Sequence, residues 1–184
     1  LGGAKLHCSV SGCTDYFAKN ETEAFQIARN IVATLNLSTG TDLGICDYDD
    51  PIYDIEDIPG ILPSPNTSPN INMYQIISRL VDGSRFHEFK ALYGRLLITG
   101  FAHIQGHLVG IIANQGKIDD QEAAKGAHFV QLCCERDVPL VFLQNTVSDI
   151  KFSSQAQEDV VAASISLKCR ARMLAAVSCA EVPK

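Results

Sequence analysis

Two apolar runs, residues 96–104 and 108–113, are separated only by Gln105-Gly106-His107. A gap that short, with a glycine inside it, is hairpin chemistry, so the runs read as paired antiparallel strands. Between Gly100 and Gly116, four glycines fall within seventeen residues that otherwise read as strand. Glycine weakens a strand unless it makes a bulge or lets another backbone or a ligand approach closely. Pattern alone leaves both readings open: a bulged hairpin, or strand backbone presented to a ligand. The spacing matches neither GxGxxG nor GxxxxGK[ST], so it is not a dinucleotide or phosphate loop.

What surrounds the hairpin sets the fold class. Arg85-Phe86-His87-Glu88-Phe89 alternates as a short strand does. Asp119-Asp120 then caps a helix with Ala123, Ala124, Ala127, Val130, Leu132 and Cys133 as its apolar stripe, and His128 reads as a core histidine on that stripe. Pro139-Leu140-Val141-Phe142-Leu143 has the pattern of a buried strand, and residues 155–178 read as a long Ala- and Val-rich helix. Strand, strand, strand, helix, strand, helix predicts an α/β layered fold and not a sandwich.

Upstream, residues 1–19 are mixed polar and read as loop or short strands. Asn20 is placed to cap a helix, with Glu23 three residues later to close a capping box. Ala24, Ile27, Ala28, Ile31, Val32 and Leu35 follow at helical spacing, predicting about four turns that end near Asn36, before Ser38-Thr39-Gly40. Residues 41–70 change character: Asp47, Asp49, Asp50, Asp54, Glu56 and Asp57 mingle with Pro51, Pro59, Pro63, Pro65 and Pro69. The acids lack the alternating register, central Gly and terminal Glu of an EF-hand. The expectation is a solvated, proline-stiffened linker with a domain boundary near residue 70. A short amphipathic helix over residues 74–81 follows, stopped by Asp82-Gly83-Ser84.

Composition bounds the function classes. With 184 residues, 46% hydrophobic and 20% charged, the chain has the makings of a real core. A net charge of −6 argues against a nucleic-acid or anionic-membrane binder, and no apolar run approaches the roughly 20 residues of a membrane span. The first residues show no basic region followed by an apolar one, so any targeting segment is expected to be removed or to lie upstream. Seven cysteines form no CxxC pair, which predicts core or surface thiols and a reducing compartment. His103 and His107 are four apart across a turn with no thiolate or carboxylate at ligand spacing, so no metal is expected.

Several blocks together are recognisable. Leu1-Gly2-Gly3-Ala4, residues 81–90 (VDGSRFHEFK), Thr99-Gly100-Phe101-Ala102 and Val109-Gly110-Ile111-Ile112-Ala113-Asn114 resemble the carboxyltransferase (β) subunits of biotin-dependent acyl-CoA carboxylases. Asn114-Gln115-Gly116, residues 125–133 (KGAHFVQLC) and residues 139–145 (PLVFLQN) place the resemblance closest to methylcrotonyl-CoA carboxylase β subunits. The resemblance is weakest over 146–170, where Thr146-Val147-Ser148-Asp149-Ile150 stands in place of a Gly-Phe turn. His103 stands where arginine is usual and Leu108 where proline is usual.

The resemblance implies a crotonase-like fold of incomplete ββα repeats. Residues 1–50 would end a first carboxyltransferase domain, 51–69 would be the linker, and 70–184 the front half of a second domain. It implies transfer of CO2 from carboxybiotin to 3-methylcrotonyl-CoA in leucine degradation, with the enolate held by backbone N–H pairs and not by a side-chain triad. Both donor pairs of the family are expected outside these residues, so no catalytic residue is assigned within the chain. The acyl-CoA or biotin-facing positions implied are Lys90, Gly94, Gly100, Phe101, Ala102, Gly106, Val109, Gly110, Ile112, Asn114, Gly116 and Asn145. Lys90, Lys125 and Arg85 are candidates for CoA phosphates, with solvated surface charge as the plainer expectation for each. The implied partners are the acyl-CoA ester, a biotin carboxylase/biotin carrier α subunit bringing carboxybiotin, and further carboxyltransferase subunits in a homo-oligomer; the implied compartment is the mitochondrial matrix, otherwise the cytoplasm. The alternative is a catalytically silent crotonase-like module that assembles with intact subunits.

Overall fold

A computed structural model describes residues 2–35, 47–62 and 71–144. Helix α1, Ala4–Leu6, runs into a π-type turn, His7–Ser11, that Gly12 ends in the left-handed region (φ 64°). Helix α2, Glu21–Ala33, starts where the capping signals put it: Asn20 Oδ1 accepts from the Glu23 N–H at 2.9 Å. The box closes one residue early, with Glu23 accepting from the N–H of Lys19 (2.7 Å). At its end the Thr34 hydroxyl donates to the carbonyl of Ile31 (2.8 Å). No residue of α2 is buried; Ile27 and Ile31 are half-covered while Phe25 and Val32 point outward.

Residues 47–62 are largely exposed but not loose. Asp54 caps a 3-10 turn, Ile55–Asp57, continued by α3, Ile58–Ile61. The carbonyl of Asp49 accepts from Gly83 N–H (3.0 Å), the Ile52 N–H donates to Ser84 Oγ (3.0 Å), and Asp49 pairs with Arg85 at 2.8 Å. Arg79 pairs with Asp57 (3.4 Å) and lies over the Tyr53 ring. Pro51 and Pro59 stiffen a strap that these contacts tie to residues 79–85.

Helix α4, Met73–Leu80, precedes a 3-10 turn at Asp82–Ser84. The sheet then forms in order β1 (Phe86–Phe89), β2 (Leu97–Ile104), β3 (His107–Asn114) and β4 (Leu140–Leu143). The first three strands are antiparallel neighbours, and β4 joins β3 in parallel after helix α5, Asp120–Glu135. The hairpin turn is Gln105-Gly106, both at positive φ (50° and 78°), while His107 already pairs with Ile104. Positive φ at both central residues is the turn that suits strand twist.

Alternation along the strands makes two cores. One face buries Ile98, Ala102, Val109, Ile111 and Ala113 beneath Met73 and Ile77 of α4. The other buries Phe89, Leu97, Phe101 and Ile112 beneath Phe129, Val130 and Cys133 of α5. The α5 stripe differs from the periodicity reading. Ala124 is exposed and Leu132 half-buried, whereas Glu122, Lys125, Gly126 and Phe129 are buried. The cause is tertiary: Phe129 lies between the rings of Phe89 and Phe101 (5.5 and 5.0 Å), which rotates the helix toward the bulkier contact. His128 is therefore exposed and not a core histidine, with its ring edge-on to Phe89 at 5.3 Å. Strand β4 is half-buried instead of fully buried. The expected helix over 155–178 lies outside the described residues.

Candidate functional site

The glycines of the hairpin resolve its open reading. A side chain at Gly100 would run into the carbonyl oxygen of His87 and lie 2.5 Å from the Phe86 ring. One at Gly110 would lie 2.7 Å from Cys133 Sγ and 3.0 Å from Leu140. Both glycines thus admit protein: the first lets β1 approach β2, the second lets α5 settle on the sheet. Phe101, Ala102, Val109 and Ile112 are buried in the two cores, and Gly106 forms the turn.

The remaining candidates gather at one end of the sheet. The β1–β2 connection, residues 90–96, lies beside the stretch that leaves β3. The Gln115 N–H donates to Leu96 O (2.9 Å), Leu97 N–H to Gly94 O (3.1 Å), and Asn114 Nδ2 to Gly116 O (3.3 Å). Gly94, at φ 52°, sits against the first turn of α5, where a side chain on it would lie 3.0 Å from the Gln121 carbonyl oxygen. This end is also the carboxyl end of the parallel pair β3 and β4, where open α/β sheets place ligands. It collects Lys90, Gly94, Asn114 and Gly116; Asn145 lies outside the described residues.

Two lysines expected at the surface are inside. Lys90 Nζ donates to the carbonyl of Gly12 (2.5 Å) and pairs with Asp15 at 2.6 Å, with its side chain 4% exposed. Lys125 Nζ, 0% exposed, donates to Gly94 O (3.4 Å) and faces Glu88 at 3.9 Å. Glu88 in turn accepts from the Tyr74 hydroxyl (3.0 Å). The polar chain Tyr74–Glu88–Lys125 therefore joins α4, the edge strand and α5. Burial pushes Lys125 down to about 8 against the pull of Glu88 and Glu122. It raises Glu88 against Lys125, and it lifts Tyr74 to about 12 with help from Glu88. Enclosing an ion costs several kcal/mol unless its hydrogen bonds are supplied, which is what these partners do. Arg85, the third basic candidate, is exposed and occupied by Asp49.

A second seam joins residues 2–35 to the sheet. Tyr16 stacks on His87 (5.2 Å) with its hydroxyl 3.0 Å from Nε2. Burial lowers His87 and raises Tyr16 to about 12, so both stay neutral at pH 7. Arg136 lies 4.5 Å over Phe101 and donates to the carbonyl of Thr34. Sequence reasoning missed Asp15, Tyr16, Tyr74, Asp82 and Glu88, because each partner is distant in the chain and each residue is ordinary in its local pattern.

Among the described residues no group of three or more His, Cys, Asp and Glu is placed to hold a metal ion. His103 and His107 fall on opposite faces of the sheet, as the register with Leu108 and Ile104 requires. Among the described residues, Cys8, Cys13, Cys133 and Cys134 are not joined in disulfides. No helix among the described residues is long and apolar enough to cross a membrane.

Comparison with known proteins gives consistent findings. Residues 1–184 match the carboxyl transferase domain family. The mitochondrial methylcrotonoyl-CoA carboxylase beta chain of Dictyostelium discoideum is 44% identical over 184 residues, which is 100% of this chain and 30% of that protein. The Arabidopsis thaliana beta chain is 44% identical over 190 residues, 100% of this chain and 31% of its own length. Among solved structures, the transcarboxylase 12S hexamer with hydrolysed methylmalonyl-coenzyme A bound superposes with a TM-score of 0.82 at 28% identity, covering 100% of this chain and 35% of that one. The chain thus spans about a third of the length of these relatives, and its α/β architecture is that of crotonase-like carboxyltransferases.

Proposed function

The chain belongs to the carboxyl transferase domain family, and from that membership we propose that it forms part of the carboxyltransferase component of a biotin-dependent acyl-CoA carboxylase, moving CO2 from carboxybiotin to 3-methylcrotonyl-CoA. The observation that carries the reading is the 44% identity to methylcrotonoyl-CoA carboxylase beta chains across every residue of this chain. That breadth favours the carboxyltransferase over a silent module.

The chemistry asks for little from side chains. The proton vinylogous to the thioester passes to the biotin nitrogen freed as carboxybiotin releases CO2, and its removal places negative charge on the thioester oxygen. Fixed backbone N–H groups stabilise that charge by roughly 3 kcal/mol each. What the described residues contribute is a stiff frame: a hairpin closed by Gln105-Gly106, a helix seated over Gly110, and loops locked at the carboxyl end of β3. The CoA ester is assigned to that end, against Gly94, Asn114 and Gly116. Carboxybiotin arrives on the carrier domain of a partner α subunit, the carboxyltransferase works as a homo-oligomer, and the compartment is the mitochondrial matrix; the beta chains it resembles are mitochondrial.

The test is CO2 transfer by the full-length subunit with its biotin-carrying partner, offered 3-methylcrotonyl-, propionyl- and acetyl-CoA. A kcat/KM at least tenfold higher for 3-methylcrotonyl-CoA is expected; no preference, or a preference for propionyl-CoA, would overturn the substrate assignment.

A further inference from the structure

Two ammonium groups enclosed within one small region are unusual, since long basic side chains normally keep their charge in water. Here both enclose the same short segment. Lys90 opens the 90–96 loop in the left-handed region (φ 52°), a conformation that side chains other than glycine rarely adopt. Its Nζ reaches back to Gly12 O and Asp15, so the loop is anchored to residues 12–15. The Tyr93 ring packs where Gly12 has no side chain, strengthening the same joint. From the other side Lys125 holds the carbonyl of Gly94, and Glu122 Oε1 accepts from the N–H of Leu96 at 3.4 Å. The loop is thus tied to residues 12–15 at one end and to α5 at the other.

We propose that Lys90 and Lys125 are positioning residues that clamp the 90–96 loop against the acyl-CoA ester, and that neither ammonium reaches the phosphates of CoA. The proposal rests on the carboxyltransferase reading above and deepens it. Stability alone does not explain the pair, because apolar residues of similar volume commonly replace a buried ion pair without loss. What a bonded ammonium adds is direction: it fixes the carbonyls of Gly12 and Gly94, and with them the backbone beside Gln115 and Gly116. Placing a substrate within tenths of an ångström is worth powers of ten in rate, whereas phosphate contact would require Nζ groups that are open to solvent.

The experiment uses the full-length carboxylase with its biotin-carrying partner, and compares Lys90→Met and Lys125→Met with wild type on 3-methylcrotonyl-CoA and its 3′-dephospho analogue. Wild-type turnover is the control for the functional reading; its absence would overturn that reading and this proposal with it. With wild type active, kcat is expected to fall at least tenfold in each variant while KM changes less than twofold. The salt dependence of KM and the ratio between the two esters are expected to stay as in wild type. Unchanged kcat and KM would reduce the lysines to stability and overturn the proposal. A KM that rises severalfold, loses its salt dependence and no longer distinguishes the dephospho ester would overturn it in favour of direct phosphate contact. Should either variant fail to fold, Asp15→Asn and Glu88→Gln loosen the same lysines without removing them and are held to the same split between kcat and KM.

Discussion

The carboxylate of Asp82 accepts the backbone N–H of Gly106 at 2.7 Å and that of Gln105 at 2.8 Å, so the turn after α4 holds the tip of the β2–β3 hairpin. Asp82 is buried, and both donors belong to residues at positive φ. Hydrogen bonds to a charged acceptor contribute about 1.5–3 kcal/mol each. Asp82→Ala is therefore expected to cost about 3 kcal/mol in urea unfolding, with faster amide exchange at Gln105 and Gly106. Asp82→Asn, which retains one acceptor, is expected to cost roughly half as much.

The Gly110–Cys133 contact predicts a coupling. Gly110→Ala puts a methyl group against Cys133 Sγ, an overpacking expected to cost about 1–3 kcal/mol. Cys133→Ala in the same chain opens the space and is expected to recover part of that loss, giving a favourable interaction energy in a double-mutant cycle. Gly110→Val, larger still and also facing Leu140 and Phe129, is expected to unfold the region and not merely to block a ligand. Gly100→Ala meets the main chain of His87, which no side-chain truncation relieves, so it is expected to cost more than Gly110→Ala. A strictly additive Gly110–Cys133 cycle would refute the packing account.

These two cases show what was legible in the sequence. Short-range chemistry reads directly: the Asn20 cap, the Gln105-Gly106 turn and the alternation of β2 and β3 depend on neighbours within a few residues. The glycine density was visible too, but pattern could not say whether protein or ligand fills the space, since the space at Gly110 is decided by Cys133, 23 residues away. The lysines misled for the same reason. Lys125 lies on the buried face of α5 with Glu122 and Phe129, but its residue type reads as surface, and the groups that receive its ammonium, Glu88 and the Gly94 carbonyl, are more than 30 residues away in the chain. The strap over 47–62 had the composition of a linker, while its partners, Gly83, Ser84 and Arg85, lie beyond the residues that suggested one.

The Tyr16–His87 seam predicts an acid limb. Burial lowers His87 from its ordinary 6.5 in the native state. Below pH 6.5 the unfolded chain takes up a proton that the native chain refuses, so stability falls as pH drops through and below 6.5. Histidine resonances followed by NMR are expected to show the His87 ring titrating below 6.5, and His87→Phe, which keeps the stack on Tyr16, is expected to flatten that limb. A His87 titration at or above 6.5 would contradict the burial described.

The last prediction concerns Lys125 at alkaline pH. Its ordinary value is 10.5, and desolvation brings it to about 8, opposed by Glu88 and Glu122 and assisted by Lys90. Below pH 8 native and unfolded chains both carry the proton, and the full cost of enclosing the charge is present. Between about pH 8 and 10.5 the native chain has released a proton that the unfolded chain still holds, so this group makes stability rise with pH. Tyr74 acts in the opposite sense at higher pH, because its hydroxyl is lifted from 10.0 to about 12 and its contribution is lost as pH rises through that range. Comparing wild type with Lys125→Met separates the two, since Tyr74 remains in both proteins. The wild-type minus variant difference in unfolding free energy is expected to move in favour of wild type from pH 8 to pH 10.5. A flat difference across the whole range would mean that Lys125 keeps its ordinary proton affinity, which is incompatible with a side chain enclosed between Glu88 and the carbonyl of Gly94.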